Sequence, residues 1–411
     1  MLTDRPKLYL GLELNPDFAM ISSCTESSGE PETISRINGS EQYQIPMTIC
    51  KRKGIGQWFY GDDVNKSALQ EDVVVVDNLY RRALSGEEIQ VEDRVYQAEE
   101  LLALFVRKVL MLPRRLGNQM EIAKLVVTVP ELAPGSVGVL KRVLKQTELR
   151  EEQVHLVDNR ESFYYYALSQ KEELYLHEVA LFDLTEGMLK FYVLARNERT
   201  TPQTVTITDK NYGMLYRDQD EMFTSFIEDA FAHRIVSTTY LTGDGFDSSW
   251  MKESLRVLCR GRKAFLGRNL YSKGACYAAL VKGGVKQWNY VYMGENELKI
   301  NVSIKVRNER ELSFLTLLTA GESWYDAEGS AEVILSGKPE IDFWLQEPHS
   351  REARIQSVEL LDFPEREDKT SRLRITAKPE SDQIIRVTVK DLGFGEIVRA
   401  SEKSWEYVIH E

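Results

Sequence analysis

Residues 7–24 run KLYLGLELNPDFAMISSC, two apolar stretches about an Asn15-Pro16-Asp17 turn, and this pattern predicts a β-hairpin. The pattern returns at residues 179–196, VALFDLTEGMLKFYVLAR, with Asp183, Glu186 and Gly187 at the turn. Between the hairpins the period lengthens. In YQAEELLALFVRKVLML the residues Leu101, Leu102, Phe105, Val109 and Leu112 share one helical face, and Pro113 ends the run. A continuous apolar strand at 123–129, a helix through Val137, Leu140, Val143 and Leu144, a short strand at 154–157 and the helix-like ESFYYYALSQ follow. Past the second hairpin come a helical face at 221–233, a strand at 235–241 and the turn Gly243-Asp244-Gly245-Phe246. A helix bearing Trp250, Met251, Leu255 and Leu258 and a small-residue helix at 270–280 complete this part. Alternating strands and helices predict an α/β domain with a mixed, largely buried sheet over residues 1–284.

Beyond the Gly283-Gly284 pair helical periodicity stops. Ile300-Val302-Ile304-Val306, Ile341-Phe343-Leu345, Leu373-Ile375-Ala377 and Ile385-Val387-Val389 alternate with polar residues. They predict a second, all-β domain over 285–411, most simply a sandwich.

Composition narrows the function. The chain has 411 residues, 43% of them hydrophobic and 28% charged, and a net charge of -12. Such an acidic balance argues against a nucleic-acid binder or an anionic-membrane binder, because phosphate contacts require clustered basic surface. Lys51-Arg52-Lys53 and Arg114-Arg115 read as solvated loops. Cys24, Cys50, Cys259 and Cys276 form no CxxC pair, so buried free thiols in a reducing, cytoplasmic compartment are expected rather than zinc or disulfides. His155, His177 and His233 show no metal spacing, and no apolar run is long enough to span a membrane. Phe163, Tyr164, Tyr165 and Tyr166 read as helix packing or an interdomain surface in preference to a ligand platform, whereas Trp324, Tyr325, Phe343 and Trp344 fit a peptide groove and fit core packing at least as well.

Two acid-bearing hairpins followed by a Gly-Asp-Gly-Phe turn resemble the actin-like ATPase superfamily, and within it the heat-shock-70 chaperones. Trp58-Phe59-Tyr60-Gly61-Asp62-Asp63-Val64, Val75-Val76-Asp77-Asn78, KLVVTVP at 124–130, the segment 154–168 and LRITAKPESDQIIRVTVKDLGFGEI at 373–397 extend the likeness in the same order. The resemblance implies a ribonuclease-H-like duplicated, nucleotide-binding-type domain and a β-sandwich like the chaperones' substrate-binding domain. One peripheral subdomain would be lacking, since residue 233 runs almost straight into the strand at 235. It further implies ATP or ADP with Mg²⁺. Glu13, Asn15, Asp17, Asp183, Thr185, Glu186 and Gly187 would then meet the phosphates, and Gly243, Asp244, Gly245 and Phe246 the adenosine. Glu13 and Asp183 would hold the metal, with Asp183 at the catalytic position.

The departures from the family pattern are specific. Glu13-Leu14-Asn15-Pro16-Asp17 stands where the family has Asp-Leu-Gly-Thr-Thr, and Asp183-Leu184-Thr185-Glu186-Gly187-Met188 where it has Asp-Leu-Gly-Gly-Gly-Thr. Glycines let backbone approach phosphate closely, and Asn15, Thr185 and Glu186 obstruct that approach. A carboxylate at Glu186, about 4 Å from a phosphate, costs on the order of 4 kcal/mol. The phosphate-contacting lysine falls near Leu79 or Tyr80, with Arg81 and Arg82 beside it, and an acidic position falls on Asn159. The expectation is therefore a chaperone-like binding or regulatory protein with a protein or peptide partner at the β domain. A slow Mg-ATP hydrolase using Arg81 or Arg82 is the first alternative, and an unrelated two-domain interaction protein the second.

Overall fold

A computed structural model describes residues 6–37, 39–54, 56–61, 64, 72–113, 120–216, 219–246, 249–308 and 311–410. Asp62 and Asp63 of the motif above, and Arg114-Arg115, lie outside the described residues. The chain folds as two compact units, Met1–Ala195 with Ile207–Trp288 and Arg196–Thr206 with Asn289–Glu411.

In the first unit one sheet runs in the order Val154–Asp158, Glu121–Val129, Lys7–Leu14, Phe18–Thr25, Glu32–Thr33. Lys7–Leu14 pairs antiparallel with Phe18–Thr25 and parallel with Glu121–Val129. A second sheet places Glu178–Thr185 between its hairpin partner Met188–Asn197 and the parallel strand Val236–Thr242, with Lys263–Leu266 parallel beyond. Phe182, Phe191 and Phe223 fill the core between the second sheet and the helix Asp220–Phe231. Each such ring contributes about 1.5–3 kcal/mol by leaving water.

The helix Leu270–Lys282 lies so close to the first hairpin that a Cβ on Gly11 would sit 2.1 Å from the Ser272 carbonyl oxygen and 2.2 Å from the Cys276 nitrogen. On its other side a Cβ on Gly274 would stand 2.0 Å from the Ser162 carbonyl, on the helix Asn159–Leu168. Small residues thus let backbone touch backbone, which is the physical content of the small-residue helix expected at 270–280. Tyr164 and Tyr165 of the aromatic run are buried and pack on Trp288 at 5.6 and 5.3 Å.

Several expectations are corrected. Strand accounts for 43% and helix for 22%, in seven helices and several small mixed sheets among the described residues, so the α/β, actin-like duplicated nucleotide-binding fold is not the fold adopted. Two of the helices, Leu79–Leu84 and Glu253–Leu258, are only six residues long. Strands absent from the periodicity, among them Gln203–Met214 and Lys263–Leu266, shift the balance to β. Trp250 and Met251 precede the helix Glu253–Leu258, whose start is fixed from outside: Asp220 accepts the amide N–H groups of Lys252, Glu253 and Ser254 at 2.9, 2.8 and 3.1 Å. Cys24, Cys50 and Cys276 are buried thiols outside any disulfide, but Cys259 is exposed. Lys51 and Arg52 belong to the strand Ile49–Arg52, and Lys51 pairs with Glu92 instead of standing in a solvated loop.

The second unit is built of two four-stranded antiparallel sheets. One runs Glu311–Leu318, Asn301–Asn308, Glu340–Gln346, Arg354–Glu359, and the other Gly329–Leu335, Ser371–Pro379, Ile384–Gly393, Ser404–His410. Alternation sends Ile304, Phe343 and Leu345 of the first and Leu373, Ile375, Val387 and Val389 of the second into one core. Gln203–Val205 pairs in parallel with Tyr290–Tyr292 in this unit. Among the described residues no helix is long and apolar enough to cross a membrane.

Candidate functional site

Both hairpin tips are shaped by local chemistry. The first closes on itself, with the Asp17 amide donating to the Asn15 side-chain oxygen at 3.2 Å and the Asn15 amide to the Phe18 carbonyl at 2.9 Å. The second joins Thr185 to Met188 through Glu186 and Gly187, whose φ angles of 52° and 78° are those of a primed two-residue turn. Glutamate adopts such angles reluctantly. The Glu186 amide is held by Asp244 Oδ1 at 3.1 Å, and its carboxylate lies 3.5 Å from Arg81, which also reaches Asp17 at 3.6 Å. Arg81 therefore links the two tips, while Arg82 turns away to Glu87.

Beneath the tips lie the two acids. Glu13 is 4% exposed, and its Oε2 has no hydrogen-bond partner among the described residues. Burial first, and the charge of Asp183 second, push its carboxyl up to about 8 against the pull of the Ser272 amide. Asp183 accepts from Thr185 Oγ1 at 2.5 Å and from the Tyr271 hydroxyl at 2.7 Å. Burial raises Asp183 as well; Thr185, Tyr271 and Lys190 restrain the rise, and Asp244 adds to it. Tyr271 and Ser272 open the helix Leu270–Lys282, and Ser272 Oγ also meets Ser22 at 2.9 Å. One helix start thus holds a carboxyl from each hairpin, with at least one of the two acids protonated near neutrality.

The glycine turn is explained by packing. At Gly243, φ 97°, a Cβ would stand 2.2 Å from the Leu184 carbonyl oxygen, and at Gly245 it would stand 2.2 Å from the Leu184 side chain. Phe246 is buried against Phe223 at 5.4 Å, and Trp250 donates its ring N–H to the Gly245 carbonyl at 2.9 Å. Asn159 accepts from the Thr128 hydroxyl at 3.0 Å, and Asp158 caps its helix by accepting the Glu161 amide at 2.8 Å. The structure therefore brings together all the residues expected at the site, but most of their polar atoms are engaged with one another. Among the described residues no group of three or more His, Cys, Asp or Glu has metal-holding geometry. Neither of two open cavities, one of about 850 Å³ beside Trp58 and Tyr96 and one of about 600 Å³ in the second unit, is lined by these residues.

Comparison with known families now bears on this geometry. Residues 30–295, well over half of the chain, match the C-terminal model of a family of unknown function, DUF5716. The chain belongs to the DUF5716 family. Residues 297–411 match a domain of unknown function, DUF8552. No curated protein matches the sequence. With the β-rich fold, these matches overturn the resemblance to the actin-like ATPases and the heat-shock-70 chaperones, since the family found is a different one.

The DUF8552 region carries surface features that periodicity did not single out. Glu311–Leu318 is the terminal strand of its sheet and, among the described strands, is hydrogen-bonded to Asn301–Asn308 alone. Its Leu312 and Phe314 are 57% and 55% exposed. Phe314 meets Trp344 edge-on at 5.1 Å, and Lys305 lies 5.6 Å from the centre of the Trp344 ring. Of the aromatic residues weighed between groove and core, Phe343 is in the core and Trp344 is on the outer face. Trp324 packs against the core margin beside Tyr325. The signal in the sequence was the dense apolar run ELSFLTLL, which lacks the alternation of a half-buried strand.

Proposed function

We propose that the chain is a binding or regulatory protein that receives an extended apolar peptide with acidic flanks as an added strand on Glu311–Leu318. The observation that carries this proposal is the exposure of Leu312 and Phe314 on a terminal strand. Sheet edges are ordinarily blunted by charge, proline or a bulge. Strand addition gains affinity from main-chain hydrogen bonds and specificity from alternate side chains. Lys305 and Arg307 stand opposite Phe314 and Leu312 on the neighbouring strand, which favours acidic residues beside the apolar ones in the ligand. The hairpin brace supports a role other than hydrolysis, because its glycines are needed for packing and most of its donors and acceptors serve the protein itself. Four cysteines outside any disulfide, three of them buried, support a cytoplasmic setting.

A fluorescein-labelled peptide, Asp-Leu-Val-Leu-Val-Leu-Asp, is expected to bind the full chain saturably, and Phe314→Asp to weaken it at least about tenfold, about 1.4 kcal/mol. The same peptide N-methylated at alternate residues loses main-chain donors and shows no binding. Equal anisotropy titrations for the parent and N-methylated peptides, or for Phe314→Asp and wild type, overturn the proposal.

A further inference from the structure

The second unit contains a cavity of about 600 Å³ between two loops, the 198–202 turn and the 347–351 turn that follows the strand Glu340–Gln346. Both loops are held in shape by their own hydrogen bonds. Thr200 Oγ1 donates to the Asn197 carbonyl at 3.1 Å and accepts the Thr204 amide at 2.9 Å. Gln346 Nε2 donates to the Ser350 carbonyl at 3.0 Å, and Ser350 Oγ donates to the Glu352 carbonyl at 3.0 Å.

Two guanidinium groups, Arg199 and Arg351, line this cavity, one from each loop. Of the acids nearest them in sequence, Glu198 pairs with Arg196 at 2.8 Å, and Glu347, which also lines the cavity, pairs with His349 on the same wall at 2.7 Å. Neither Arg199 nor Arg351 has a carboxylate partner among the described residues, in a chain whose net charge is -12. Asn301 adds a donor from the floor, since its side-chain oxygen already accepts the Ala320 amide at 2.9 Å and leaves the NH₂ group. Thr201 adds a hydroxyl. The lining is therefore rich in donors and sets two arginines against one carboxylate, Glu347, which His349 engages.

We propose that this cavity binds the phosphate monoester group of a small molecule, held between Arg199 and Arg351. One guanidinium satisfies a carboxylate through two parallel hydrogen bonds, whereas two forks, one from each loop, match a dianion with three outward oxygens. A cavity of this volume is of the size that takes a small molecule.

Isothermal titration of the full chain with glycerol phosphate, inorganic phosphate, acetate and a phosphoserine peptide tests the assignment. Glycerol phosphate is expected to bind saturably and at least about tenfold tighter than acetate. Arg199→Gln and Arg351→Gln, both at exposed positions, are expected each to weaken it about tenfold or more with unchanged circular dichroism. Affinity should also fall as the ligand loses its second charge, below about pH 6. Equal binding of acetate, insensitivity to both variants, or binding of inorganic phosphate as tight as glycerol phosphate would overturn the proposal. A phosphoserine peptide that binds where glycerol phosphate does not would also overturn it, in favour of a modified protein.

Discussion

Glu13 in the first unit and Asp391 in the second are both strand carboxylates shut away from water, 4% and 0% exposed. Around Asp391 the donors are complete. Arg366 gives one hydrogen bond to each oxygen, at 2.9 and 2.8 Å, and the amides of Gly393 and Ser401 add two more at 3.0 and 2.8 Å. Burial alone would push this carboxyl up, but the Arg366, Ser401 and Gly393 hydrogen bonds hold it far below the usual carboxylate range. Among the described residues no cation pairs with Glu13; burial and the charge of Asp183 drive it the other way, to about 8. A buried carboxyl with a full set of donors stays charged, and one with a partial set keeps its proton. The two carboxyls therefore contribute to stability with opposite dependence on pH.

The most severe way to break this contrast is at the charged pair. Asp391→Ala leaves Arg366, whose side chain is only 10% exposed, without its counter-charge, and the expected loss is as much as about 5 kcal/mol in urea unfolding near neutral pH. The double variant Arg366→Met with Asp391→Leu should recover most of it, because both partners leave together. The native pKa lies below the unfolded value, so the wild-type contribution is present above the unfolded value and is lost as pH falls through the native one. Equal losses in the single and double variants would show that packing, not the ion pair, sustains this corner.

Glu13→Gln probes the opposite sign. The native carboxyl titrates near 8, above the unfolded value, so the folded protein holds an extra proton between the two. Its contribution is complete below the unfolded value, declines as pH rises towards 8 and is gone above it. Glutamine keeps the neutral form at every pH. Glu13→Gln should therefore match wild type below about pH 4.5, diverge from it as pH rises, and exceed its stability above about pH 8 by up to about 5 kcal/mol. Parallel pH profiles for the two proteins would place Glu13 outside the coupling with Asp183.

Much of this contrast was legible in the chain and some was not, for identifiable reasons. The Asn-Pro-Asp and Glu-Gly turns write themselves into short sequence, so Glu13, Asp183 and the glycine turn were found and do come together. Their partners Tyr271 and Ser272 sit on a helix start far along the chain, 88 residues from Asp183 in the case of Tyr271, where no local period reports contact. Arg81 was singled out as a replacement for a missing phosphate ligand, yet its contacts are Asp17 and Glu186. The fold class failed where strands lack a simple alternation: Glu311–Leu318 is exposed at its first six positions and Gln203–Met214 is of mixed burial, so neither shows a period of two. Asp391 and Arg366 were missed because a buried ion pair across 25 residues has no spacing rule.

The mildest test concerns Arg81, the cation that the acid cluster does possess. It lies at the surface, 55% exposed, and its partners Asp17 and Glu186 are 49% and 66% exposed. Water and salt screen such pairs, and holding three mobile side chains in place offsets part of the attraction. Arg81→Ala should therefore cost less than about 1 kcal/mol in urea unfolding, and the difference should shrink as salt is added. It should leave the pH profile set by Glu13 unchanged, because Arg81 does not contribute to the upward shift of that carboxyl. A loss above about 1 kcal/mol that salt does not diminish would give Arg81 the same standing as Arg366. The acids of the first unit would then be charge-compensated after all, and the difference between the two units would lie in where the cation sits, not in whether there is one.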